Sequence, residues 1–159
     1  MNLRLAFIVD PLDKLKPAKD SSIAMMRETA RRGHEVWTVQ REALNLLGGD
    51  LSARASRIAL TSSGKSWYRI EDEQTISLRD VDAVLMRQDP PFDFEYITAT
   101  WMLERAVAGG ARVFNHPRAI RDHSEKVSIC EFPDLITPTL VSRDVSSVNA
   151  FIDSHADCI

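Results

Sequence analysis

The amino-acid sequence predicts an α/β fold, an open parallel sheet flanked by helices, with a β-hairpin inserted into it. Two stretches support this prediction. The first forty residues have the pattern strand, helix, strand, and Ala83 to Met86 is a short apolar strand that leads through a charged loop into a long helix. Parallel neighbours need a crossover connection, which is usually a helix, so this alternation favours a parallel sheet.

The first strand–helix–strand unit is predicted from composition and capping residues. Leu3 to Asp10 is an almost continuous apolar run, as in a strand buried on both faces. Asp20 to Ser22 are residue types that begin helices, and Ile23 to Arg32 is predicted as a helix with Gly33 at its C-cap. Glu35 to Gln40 then forms the second strand.

The following forty residues have a weaker pattern. Arg41 to Leu47 is predicted as a helical turn that ends at Gly48–Gly49. Leu51 to Leu60 and Ser66 to Ile70 flank a turn-like cluster, Thr61 to Lys65, and are predicted to form the inserted hairpin.

The second half of the chain is predicted to alternate helices with short strands. The predicted helices are Tyr96 to Ala108, Pro117 to Arg121, Glu125 to Phe132 and Val145 to His155. The predicted strands are Arg112 to Asn115 and Thr139 to Val141. Asp144 is expected to cap the last helix, and Asp157 to Ile159 to begin an element that the chain does not complete.

Composition excludes several classes of function. With 20 Lys and Arg against 23 Asp and Glu, the net charge is −3, and there is no basic stripe for nucleic acid. No apolar run is long enough to span a membrane, and the apolar N-terminus is too short for a signal segment. Two cysteines make no disulfide framework, which favours a reduced, cytoplasmic protein.

The first candidate site is the connection between the first strand and the first helix. A helix N-terminus with nearby hydroxyls can hold a carboxylate or a phosphate, which makes Asp20, Ser21 and Ser22 candidates. The alternative is that Ser21 or Ser22 only caps its own helix, and capping statistics favour that alternative. The loop lysines, Lys14, Lys16 and Lys19, are expected to be solvated charges.

The second candidate is the loop RQDPPFD, which two prolines stiffen. Arg87 can bind a substrate carboxylate with two parallel hydrogen bonds. The alternative is an ion pair with Asp89 or Asp93 that only shapes the loop, and the residues alone do not decide between the two.

Other motifs are weak or missing. Lys126 lies near the start of a predicted helix, where a cation opposes the helix dipole, which can mark a functional site. The four histidines and two cysteines lack metal-binding spacing, and the glycine-rich loops that hold nucleotide phosphates are absent.

Six segments, in the same order along the chain, resemble prokaryotic glutathione synthetases. They are FIVDP at Phe7 to Pro11, KDSSIAMM at Lys19 to Met26, RRGHEV at Arg31 to Val36, LMRQDPPFDFEYITATWMLERA at Leu85 to Ala106, FNHPRAIRDHSEK at Phe114 to Lys126 and TPTLVSRD at Thr137 to Asp144. The resemblance extends over nearly the whole chain except residues 41–80.

The resemblance implies an ATP-grasp ligase that joins γ-glutamylcysteine to glycine through an acyl-phosphate intermediate. The implied cofactors are ATP and Mg²⁺, with Mn²⁺ as the alternative ion. It also implies a Rossmann-like pre-ATP-grasp domain at 1–122, the truncated start of the ATP-grasp domain at 123–159, and a homo-oligomer, a tetramer in the family.

The resemblance also assigns site residues. Lys126 matches a lysine that contacts ATP phosphates. Five residues are implied to shape the γ-glutamylcysteine site: Asp20, Ser21, Ser22, Arg87 and Asp89. No catalytic residue or metal ligand is implied within this chain. The sequence departs from the family at Gln88, where lysine is common, and at His123–Ser124, where Cys-Asn is common.

Three hypotheses follow. The first is that the chain is the N-terminal portion of a ligase and inactive alone. The second is a stand-alone, non-catalytic module that binds γ-glutamylcysteine or associates with ligase subunits. The third, a different α/β nucleotide enzyme, is disfavoured because the glycine-rich loops are missing.

Overall fold

The protein is described by a computed structural model that covers residues 2–61, 66–124 and 126–158. Its strands are β1 (Arg4–Ile8), β2 (Glu35–Leu47), β3 (Asp50–Leu60), β4 (Tyr68–Ser77), β5 (Ala83–Met86) and β6 (Val113–Phe114). Its α-helices are α1 (Ser21–Arg31), α2 (Phe94–Ala108), α3 (Pro117–Asp122) and α4 (Val145–Asp153). Short 3₁₀ helices lie at Leu78–Asp80, Ser128–Glu131 and Pro133–Leu135.

The six strands form one sheet in the order β4-β3-β2-β1-β5-β6. β2, β1, β5 and β6 are parallel, whereas β3 and β4 are antiparallel to their neighbours. The predicted α/β fold is confirmed. The predicted hairpin is β3–β4, and because it joins the edge of the parallel strands, the whole sheet is mixed.

The core lies on both faces of this sheet. Successive residues of β1 point to opposite faces, so Ala6 and Ile8 pack in one cluster and Phe7 in another. The first cluster includes Leu103 of α2, and the second includes Met26 of α1. The sheet is therefore covered by α2 on one face and by α1 on the other, as the strand–helix alternation predicted.

The predicted helical turn at Arg41 to Leu47 is wrong, because this segment continues β2. Leu44 to Leu47 pair with Asp50 to Ala53 of β3 across Gly48–Gly49. Both glycines have positive φ, +58° and +89°, which is the backbone of a two-residue hairpin turn. The Gly-Gly pair between apolar residues was the signal for this hairpin, and it was interpreted as a helix end.

The predicted hairpin of β3 and β4 is confirmed, although β4 continues to Ser77, seven residues beyond the predicted end. Residues 62–65 of its predicted turn lie outside the described residues. The predicted helices α1, α2 and α3 are each confirmed to within two residues of their predicted ends.

The chain separates into two compact units, Met1–Arg121 and Asp122–Ile159. In the second unit, α4 is confirmed, with the Asp144 side chain accepting from the backbone N–H of Ser147 at 2.8 Å. The assignment of this unit to an ATP-grasp domain stays a prediction.

Other predictions for the second unit are wrong. In place of a helix from Glu125 to Phe132, the described residues form a turn and the 3₁₀ helix Ser128–Glu131, and residue 125 lies outside the described part. Thr139 to Val141 is not a strand, because no described strand pairs with it to satisfy its backbone groups. Asp157 and Cys158 have no regular structure.

Candidate functional site

The order in which the chain adds strands to the sheet reverses at β1, and the candidate site lies at this switch point. From β1 the chain passes to β2 on one side, and it returns to β5 on the other side of β1. The loops that follow β1 and β5 therefore leave the same sheet edge from adjacent strands. Ligands of open α/β sheets bind in the crevice at such a switch point, beyond the carboxyl ends of the strands.

The N-terminus of α1 lies at this edge, and Asp20 caps it. The Asp20 carboxylate accepts hydrogen bonds from the backbone N–H groups of Ser22 at 2.7 Å and Ile23 at 3.2 Å. Capping by Ser21 or Ser22, the alternative that statistics favoured, is therefore wrong. Because Asp20 supplies the cap, the two serine hydroxyls are available for other partners.

Those hydroxyls bind Arg87, the first residue after β5. The guanidinium donates from Nη2 to Ser21 Oγ at 2.8 Å and from Nε to Ser22 Oγ at 3.3 Å. Within the described residues, Arg87 forms neither of the ion pairs, with Asp89 or Asp93, that were considered from the sequence. Asp93 instead caps α2 by accepting from the N–H of Tyr96 at 2.8 Å.

Asp10 completes the connection between the two loops, and the sequence prediction omitted it. Its Oδ1 accepts from the Gln88 side-chain Nε2 at 3.3 Å, and its Oδ2 accepts from the Asp89 backbone N–H at 3.1 Å. The available signal was its position, directly after the first strand and before a proline, opposite the candidate loop Arg87 to Asp93.

A cleft of about 310 Å³ opens beside these groups. Three carboxylates (Asp10, Asp20, Asp89) and three loop lysines (Lys14, Lys16, Lys19) line it together with Leu15. The lysines are exposed, as expected for solvated charges, yet they border the same cleft as Asp20 and Asp89. The other predicted residues of the first unit, Ser21, Ser22 and Arg87, do not line this cleft. A ligand carrying both charges would find complementary groups there, in the loop lysines and in the carboxylates of Asp20 and Asp89.

A second cleft of about 320 Å³ lies over β2, β3 and β4 and shares Asp10 as a wall. Its polar lining includes Thr38, Ser56 and Glu73, and the Ser56 hydroxyl donates to Glu73 at 3.1 Å. None of the residues predicted for the site lines this second cleft.

Tyr96 of α2 and Arg41 of β2 support the loop after β5. Burial raises the pKa of the Tyr96 hydroxyl, while the positive charges of Arg87 and Arg41 act in the opposite direction. Arg41 has a side chain that is only 11% exposed and pairs with Asp93 at 3.6 Å and Glu95 at 3.3 Å.

The Gln88 Oε1 atom is buried and has no hydrogen-bond partner in the described part of the chain.

Lys126 belongs to the second unit, where it is exposed and lies in a turn. The α-helix that was predicted to begin at residue 125 is not formed in the described residues from Lys126 onward. In the described ranges, no group of three or more His, Cys, Asp or Glu side chains could hold a metal ion. No described helix is both long and apolar enough to cross a membrane.

Comparison with known proteins gives one family. Residues 3–121 match the model of the prokaryotic glutathione synthetase N-terminal domain. The chain is 49% identical to a glutathione synthetase of Ralstonia nicotianae over 157 residues, which are 99% of this chain and 48% of that protein. Glutathione synthetases of Vibrio parahaemolyticus (41% identical, 99% of this chain, 50% of that protein) and Bordetella pertussis (44%, 99% and 51%) are also similar. The chain spans about half the length of these relatives.

Proposed function

The chain belongs to the prokaryotic glutathione synthetase N-terminal domain family, and from this premise we propose that it is the N-terminal portion of a glutathione synthetase. In that enzyme γ-glutamylcysteine would be ligated to glycine with ATP, through an acyl phosphate. We propose that this chain contributes the binding of γ-glutamylcysteine and is inactive alone. The arrangement of Arg87 on Ser21 and Ser22 at the switch point carries this proposal.

The donor geometry suits a carboxylate. Arginine presents five N–H donors in a planar fork, and two of its nitrogens, Nε and Nη2, are held by the serine hydroxyls. Among the described residues Nη1 has no partner, so it can donate to a ligand. Each serine hydroxyl that accepts from Arg87 can also donate its own hydrogen, which adds two neutral donors beside the guanidinium.

We propose that this chain supplies only part of the site for ATP and Mg²⁺. Only Lys126 is proposed to contact ATP phosphates, and the described residues offer no cluster of metal ligands. When bound, ATP would activate the carboxylate that glycine attacks. The contribution of this chain is to bind and orient the dipeptide, because positioning of reactants supplies much of the rate of such reactions.

A binding experiment tests the proposal. The purified chain is titrated with γ-glutamylcysteine in a calorimeter, and we expect saturable heat that Arg87→Ala removes. Arg143→Ala is the matched control, since Arg143 is exposed and lies in the second unit. Absence of binding by the unaltered chain would refute the assignment of the substrate site.

Two further measurements separate the hypotheses. Glutathione formation by a rigorously pure sample would refute the proposal that the chain is inactive alone. Sequencing the source gene beyond the codon for Ile159 separates the N-terminal portion of a ligase, which requires a continuing reading frame, from a stand-alone module. The proposed homo-oligomer is tested by light scattering of the purified chain, and a monomer would contradict it.

A further inference from the structure

We propose that Asp10 is a positioning residue, whose carboxylate clamps the loop after β5 so that Arg87 stays on Ser21 and Ser22. The inference rests on the proposed function, because it assumes that Arg87 is the group that meets the substrate. Asp10 would act through the loop and would not touch the substrate.

The contacts of Asp10 are those of a clamp. One oxygen accepts from the Gln88 side chain and the other from the Asp89 backbone, 78 and 79 positions away in the sequence. Two consecutive residues are therefore held by one carboxylate. Hydrogen bonds to an ionised group are stronger than those between neutral groups, so this pair restrains the loop more than two neutral bonds would.

The hydrogen bonds of Asp10 lie directly after the last backbone hydrogen bond between β1 and the loop that follows β5. The Arg87 N–H still donates to the carbonyl of Ile8 at 2.8 Å, which is the last backbone bond from this loop to β1. Beyond it, Asp89 to Phe92 are exposed. Without Asp10, residues 88 and 89 would lose their hydrogen bonds to the loop after β1, and the backbone that carries the Arg87 side chain would be held on one side only.

The charge of Asp10 argues against direct binding of a substrate carboxylate, since two like charges repel each other. Its two oxygens also already accept hydrogen bonds from the loop. An effect of Asp10 on binding of a carboxylate ligand would therefore arise from the placement of Arg87, which forms no hydrogen bond or ion pair with Asp10 among the described residues.

The primary test is Asp10→Asn in the complete 159-residue chain. Asparagine has the same shape, but its amide nitrogen cannot accept, so one of the two loop bonds is lost. We expect the solvent exchange of the Arg87 Nε–H, followed by ¹⁵N NMR, to accelerate about two- to tenfold, the loss expected for one hydrogen bond. Asp10→Ala removes both acceptors and should accelerate exchange further.

The matched control is Asp13→Ala, which removes the same charge from the same loop at an exposed position. It should leave the Arg87 Nε–H signal unchanged. Exchange at Arg87 that is equal in wild type and Asp10→Asn would overturn the proposal. If Asp10→Ala does not fold, the isosteric Asp10→Asn still decides the outcome.

Titration with γ-glutamylcysteine gives a second, independent readout. We expect Asp10→Asn to weaken binding about two- to tenfold and Asp13→Ala to leave it unchanged. If the wild-type chain does not bind the dipeptide, the proposed function fails, while the Arg87 Nε–H exchange still decides whether Asp10 positions Arg87. If Asp10→Asn accelerates exchange of the Arg87 Nε–H but leaves the affinity for γ-glutamylcysteine unchanged, the proposed effect of Asp10 on substrate binding is overturned.

Discussion

Arg87 and Ser21 are 66 positions apart in the sequence, and the Arg87 guanidinium donates to the Ser21 hydroxyl at 2.8 Å. This contact joins the carboxyl end of β5 to the amino end of α1. It is made possible by Asp20, which supplies the helix cap and leaves the serine hydroxyl for the arginine. The helix start and the loop after β5 thus form one candidate carboxylate site.

Arg87→Lys should weaken the binding of γ-glutamylcysteine although the charge is kept. Lysine is a point charge without a planar fork, so it cannot bind both serine hydroxyls and a carboxylate in the same geometry. We expect roughly a tenfold increase in the dissociation constant by calorimetry, the size of one charge-assisted hydrogen bond. Arg143→Lys is the control, and equal affinities for the two variants would contradict the geometric role of Arg87.

Asp20→Ala should destabilise the protein, because it removes the cap from α1. The carboxylate accepts from two backbone N–H groups, and loss of an N-cap side chain costs about 1 kcal/mol. Urea unfolding followed by circular dichroism measures the change. Asp20→Asn, which keeps a capping oxygen, should recover most of the stability, and equal losses for both variants would contradict the capping role.

Gln88→Lys should stabilise the protein. The buried Gln88 Oε1 atom has no partner among the described residues, and a buried unsatisfied polar atom costs about 1–3 kcal/mol. Lysine removes that atom and can donate to Asp10, so we expect a gain of roughly 1 kcal/mol in urea unfolding. The gain should shrink in an Asp10→Asn background, and a gain of the same size there would show that Asp10 is not the partner.

Asp144, which caps α4, should have a pKa far below that of an ordinary aspartate. Hydrogen bonds from Ser147 and Ser146 lower the pKa of Asp144 to about 2. The pKa is lower in the folded state than the unfolded value of about 3.9, so the contribution of this cap to stability is present above pH 4 and lost as the pH falls toward 2.

An NMR titration of the Ser147 amide measures this pKa. Ser147→Ala should move the midpoint upward, toward the value of a free aspartate, because it removes the largest cause of the shift. A wild-type midpoint near 4 would contradict the expected shift.

The sequence predicted the parallel core well because its signals are local. The apolar runs at β1 and β5 and the capping residues before α1 and α2 are each contained in a few neighbouring residues. The Gly48–Gly49 hairpin was missed because a glycine pair ends helices as well as joins strands, and only the pairing with β3 decides between the two. The prediction of a strand at Thr139 to Val141 was wrong for the same reason, since a strand needs a pairing partner that the local sequence does not reveal.

The candidate site was predicted in part. Arg87, Ser21 and Ser22 were named from their positions after a strand and before a helix, yet their mutual hydrogen bonds depend on strand order, which places β5 beside β1. Asp10 and Arg41 were missed because the partners that connect them to the loop after β5 and to α2 lie more than fifty residues away. Contacts of such long sequence separation follow from the topology and not from any local pattern.

The outer strand β4 has a consequence for association. It lies at one edge of the sheet and carries the exposed acidic residues Glu71, Asp72 and Glu73. An uncovered edge strand can add strands from other molecules, and charged side chains oppose this. Glu71 pairs with Arg69 and Arg57, and Glu73 pairs with Arg54, so the edge carries charges of both signs. A strand from a second molecule that added to β4 would have to desolvate these charged side chains, which makes β4 a poor template for aggregation.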